Sequence, residues 1–168
     1  MARTYIARIG VAPVSCAGFY GCSTWLKADT GVTATSTGLI SNRDDQTIYP
    51  GLSGVQLTST LMPKYITGSM NSNPVVRFAS GNFLAFASKY MYAYDNSEFA
   101  VIRTTSSVGV ISMAGNSLVV APALCDRALS LTGGKATALL SGQRITTTTT
   151  AINNNKAQLI SRTYGTGV

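Results

Sequence analysis

A chain with no histidine and a single glutamate, Glu98, offers little to acid–base chemistry, which depends on positioned groups that can take up and release a proton. Asp95 stands an odd number of positions from Glu98, so on a regular strand the two carboxylates face opposite ways. Asp44 and Asp45 are adjacent and point apart in extended backbone. In a loop, with Asn42 beside them, their oxygens form a candidate calcium site, set against the plainer reading of a solvated turn. Cys16 and Cys22 are close enough for a small disulfide loop around Gly18-Phe19-Tyr20-Gly21, and Cys125 is left over; three buried, reduced thiols are the competing reading. Without histidine or a C-x-x-C hook, zinc is not expected. Tyr90, Tyr92 and Tyr94 recur at period two and share one face of an extended segment, as a subunit contact or a glycan platform, with the contact preferred. Tyr5 and Arg8, on an alternating N-terminal segment, join them as candidate ligand or subunit contacts. No phosphate-cradling glycine loop or nucleophile elbow occurs. The chain is therefore expected to be no enzyme and to need no cofactor, with calcium as the one ion its loop could take.

The elements that position these residues read as short strands. Apolar runs alternate with Gly, Pro, Asn and Ser at intervals of about ten residues, the punctuation of an all-β sandwich. Strands are expected at 5–11, 23–27, 54–57, 75–78, 83–87, 98–104, 109–113, 117–121, 136–140, 143–149 and 157–163, with Gly133-Gly134 as a hairpin turn. The chain has 168 residues, 45% hydrophobic and only 11% charged, which suffices for one buried core beneath a hydroxyl-rich surface. Its net charge of +7 comes from basic residues scattered along the whole sequence. A nucleic-acid tail would concentrate that charge in one block, so nucleic acid is not the expected partner. No signal peptide is visible and no apolar run is long enough to span a membrane.

Two segments carry a resemblance. T-W-L-K-A-D-T-G-V-T, from Thr24 to Thr33, and N-P-V-V-R-F-A-S-G-N-F-L, from Asn73 to Leu84, resemble the opening of a concanavalin A-like (LamG-like) jelly-roll domain. Between them that family has a W-x-D-Q loop. Here Asn42-Arg43-Asp44-Asp45-Gln46 stands in that place and the loop tryptophan is replaced. Glu98-Phe99-Ala100-Val101-Ile102-Arg103 resembles the strand that follows in the family. The resemblance implies an antiparallel β-sandwich, a surface-binding habit and, in some members, calcium. The paired glutamates and aspartate of the glucanases in this group have no counterpart here.

Residues 1–22 then form an N-terminal strand or arm, contacting the sandwich or a neighbouring subunit, and residues 23–168 form the jelly roll. The function expected is that of a structural protein of a virus or phage particle, a decoration, cement or other virion-surface protein, whose partners are other virion proteins and copies of itself. The alternatives are an extracellular module of the same fold that recognises cell-surface glycans or a host, and a small coat protein enclosing RNA.

Overall fold

The computed structural model describes residues 24–47, 53–86, 96–114, 127–140, 143–147 and 150–164. Among these the protein is all-β, and every strand pairing is antiparallel. One 3-10 turn, Ser59–Leu61, is the single helical element among them, and no helix there is long and apolar enough to cross a membrane. The expected arm at 1–22 and the expected strands at 5–11 and 117–121 lie outside the described residues. The chain divides into two compact units, residues 1–90 and residues 91–168.

In the first unit, β1 (Val32–Ala34), β2 (Ile40–Arg43), β3 (Gly54–Val55) and β6 (Ala85–Phe86) form one sheet, in the order β1-β2-β3-β6. The hairpin of β4 (Lys64–Met70) and β5 (Asn73–Arg77) forms another. Its two-residue turn, Asn71-Ser72, holds both φ angles positive (49° and 61°), which matches a type I′ turn and the right-handed twist of its strands. Pro74 has no N–H to give the ladder. Opposite it β4 bulges, the register slipping between Ile66 and Met70. The hairpin is tied to β2 by Ile40 N–H donating to Pro63 O and Tyr65 N–H donating to Gly38 O, both at 2.8 Å. Ala28, Ile40 and Val76 are sealed at the centre, with Val32, Tyr65, Phe78 and Leu84 packed around them. Each buried aliphatic side chain of this kind contributes about 1.5–3 kcal/mol relative to exposure.

Of the segment expected as a strand at 23–27, the described residues 24–27 join no ladder. Their backbone groups find other partners: Trp25 N–H donates to the Asp45 carboxylate at 2.8 Å, and Trp25 O accepts from Gln46 N–H at 2.8 Å. A sequence rich in β-formers thus folds as extended coil held by side chain and loop, and Trp25 is half-buried rather than central.

In the second unit, β8 (Gly109–Ala114), β9 (Arg127–Thr132), β10 (Lys135–Leu140) and β11 (Gln143–Thr147) make a sheet ordered β11-β10-β9-β8. Gly133-Gly134 is its central hairpin turn, with φ of 57° and 75°. β9 and β10 are buried on both faces, Leu129, Ser130 and Leu131 lying beside Ala136, Thr137 and Ala138. A separate ribbon pairs β7 (Asn96–Ile102) with β12 (Gln158–Tyr164) in unbroken register. One face of the ribbon, Ala100, Ile102 and Ile160, is buried; on the other, Phe99 and Leu159 are exposed among Ser97, Ser161 and Thr163.

Candidate functional site

The described part of the predicted site lies at the end of β2. A regular strand would send Ile40 and Arg43, three positions apart, to opposite faces, yet both are buried. A bulge resolves this. Thr33 pairs with Asn42 and Ala34 with Ile40, so Ser41 is the extra residue and the alternation resets across it.

Asn42 and the two aspartates follow, and the fold separates the carboxylates. Asp44 is exposed; its Oδ1 accepts from Asn42 Nδ2 at 2.6 Å and from Ser53 Oγ at 3.0 Å. Asp45 is only 4% exposed. Its Oδ1 accepts from the backbone N–H of Trp25 at 2.8 Å and of Thr47 at 3.1 Å, and its Oδ2 accepts from Thr47 Oγ1 at 3.0 Å. Asp45 therefore staples the 24–31 segment to the 44–47 loop, assisted by Asp44 N–H donating to Gly31 O at 2.7 Å. Gly31 is required there: its φ is +70°, and a Cβ would lie 2.2 Å from Gln46 Nε2. Among the described residues no group of three or more His, Cys, Asp or Glu side chains is arranged to hold a metal ion.

Beside this loop Arg43 is sealed from water. Its Nε donates to Lys27 O at 3.3 Å, while Nη2 is buried and makes no hydrogen bond. Burial pushes the guanidinium down to about 10, against the charge of Asp29, which raises it. Asp29 also meets Lys27 Nζ at 3.4 Å.

The outward face of the same sheet carries a different signal. Asn42 pairs with Val55 and Val55 with Ala85, so these three share a face. The ladder ends there: beyond it Leu57 is 83% exposed and Phe83 39% exposed, and Phe83 N–H donates to Leu61 O at 3.2 Å. At the alternate position of the ladder Gly54 admits the Phe86 ring, whose Cζ would lie 2.8 Å from a Cβ there and which is itself 37% exposed. These exposed side chains were not among the residues singled out in the sequence.

Of the other sequence candidates, Tyr5, Arg8, Cys16, Cys22, Tyr90, Tyr92 and Tyr94 lie outside the described residues. Glu98 is held on the buried face of the β7–β12 ribbon, where Nε and Nη2 of Arg162 both meet its Oε2 at 2.5 Å. Compared with protein-family models, with curated proteins and with solved structures, the chain matches none.

Proposed function

We propose that this chain is a non-enzymatic structural protein of a virus or phage particle, a decoration or other surface subunit, built as a concanavalin A-like jelly roll and working by association with copies of itself and with other particle proteins. The observation that carries this reading is the set of large apolar side chains left exposed on or beside the β3–β6 ladder of the first unit, Val55, Leu57, Phe83 and Phe86. Exposed apolar side chains are the surface that association removes from water. The chemistry of the chain leans the same way: its one glutamate is engaged by Arg162, and Asp45 is engaged by backbone N–H groups.

The test is the mass of the purified protein by light scattering across a concentration series. A closed assembly of three or more chains is expected, and Leu57→Asp with Phe83→Ser should shift it toward monomer without loss of β-structure by circular dichroism. A wild-type chain that stays monomeric at every concentration overturns the reading.

A further inference from the structure

We infer that the loop end of the second unit is a docking surface for an acidic protein face, with Lys135 and Lys156 supplying the charge and Val108 the apolar centre. The residues come from three loops far apart in sequence. Gly134 N–H donates to Ser107 O at 2.8 Å, Ile152 N–H to Gly134 O at 2.7 Å, and Asn155 N–H to Thr104 O at 3.0 Å. These bonds stitch the 103–108 loop, the Gly133-Gly134 turn and the 150–157 loop into one end. Ile152 is buried beneath it. The Asn153 amide lies over Gly134, where a Cβ would come within 2.6 Å of Asn153 Oδ1. Asn154 Oδ1 accepts from Lys156 N–H at 3.1 Å and from Gln158 Nε2 at 2.9 Å, which fixes the last turn. The platform is ordered before any partner arrives, so little further ordering opposes binding.

Each lysine stands next to a stitching residue, Lys135 after Gly134 and Lys156 after Asn155. Neither forms an ion pair among the described residues. The one acid among the described residues of this unit, Glu98, is engaged by Arg162. Among the described residues this end is thus of a single sign, and its complement is acidic. Val108 is 66% exposed within the same loops, among Thr105, Ser106 and Ser107. An apolar centre inside a polar rim is the composition of a protein–protein patch. Duplex or single-stranded nucleic acid calls for denser charge or for stacking rings, and the three loops contain no aromatic residue. A lipid surface calls for large apolar wedges, which are equally missing from them.

The inference goes beyond the assembly reading and is independent of it, because that reading rests on the first unit. The full chain is titrated at low salt with poly-L-glutamate, heparin and duplex DNA. Poly-L-glutamate is expected to bind best, and K135Q/K156Q to weaken it roughly fivefold. K64Q/R77Q, an equal loss of charge on β4 and β5 of the first unit, is expected to leave it unchanged. Equal weakening by the two double variants, tighter binding of heparin or DNA, or no binding of poly-L-glutamate overturns the inference.

Discussion

Among the described residues each unit holds one arginine almost sealed from water, Arg43 and Arg162, and the two are served very differently. Arg162 lies on an unbroken ladder directly across from Glu98, so strand register itself delivers a carboxylate to its Nε and Nη2. Arg43 lies two residues past a bulge. It has a backbone carbonyl for Nε, a carboxylate acting only at a distance, and nothing for Nη2. A buried ion pair roughly offsets its own desolvation when the geometry is good, whereas a buried charge with an unsatisfied donor leaves that cost standing. Similar burial therefore means opposite things: Arg162 is a group the fold would miss, and Arg43 is one it tolerates.

The sharpest way to test that contrast is to strip the partner from the satisfied arginine. Glu98→Ala leaves Arg162 buried without its carboxylate and should cost about 3 kcal/mol, read as a lower urea midpoint. The double variant E98A/R162L removes both charges and should recover most of that loss. If the double variant is no better than the single, the cost lies in strand packing and the pair is not what matters. A smaller effect is expected at the loop beside Arg43. Asp45→Ala abandons the half-buried N–H of Trp25 and the buried N–H of Thr47 and should cost about 2 kcal/mol, while Asp45→Asn, which keeps an acceptor, should cost about half as much. Equal losses in the two variants would mean that the carboxylate's charge, rather than its accepting oxygens, is what holds the 24–31 segment.

Much of the strand plan was legible because it depends on local pattern. The β5, β10 and β12 segments carry β-formers bounded by turn residues, and Gly133-Gly134 supplies the two positive φ angles that a tight hairpin needs. β4 was missed because Gly68 and the bulge opposite Pro74 interrupt its alternation, and β2 because Ser41 does the same. Asn42, Asp44 and Asp45 were expected together in a loop, whereas Asn42 lies on β2 and only the aspartates follow it into the loop. That Asp45 turns inward to backbone N–H groups was not legible, since its partner Trp25 is twenty residues away. The cationic end of the second unit was hidden for the same reason. Lys135 and Lys156 look evenly scattered in the sequence, and only hydrogen bonds between distant loops bring them to one place.

The last and smallest effect runs the other way. Arg43→Met keeps a long, flexible stem for the slot beside Lys27 while removing a charge whose Nη2 finds no acceptor, and it should raise stability by about 1 kcal/mol. The pH dependence is distinctive. Burial holds the folded-state guanidinium at about 10, below its unfolded value, so the unfolded chain binds more protons only between about 10 and that higher value. The wild type should gain stability from this group as pH rises through that alkaline interval. Below about pH 9 both states are fully protonated and the penalty is constant. The advantage of Arg43→Met should therefore be the same at pH 5 and at pH 8, measured as a difference in urea midpoints. A gain that changes sign or size across that window would mean that Arg43 exchanges its charge with Asp29 or another acid, and that it is as well served as Arg162 after all.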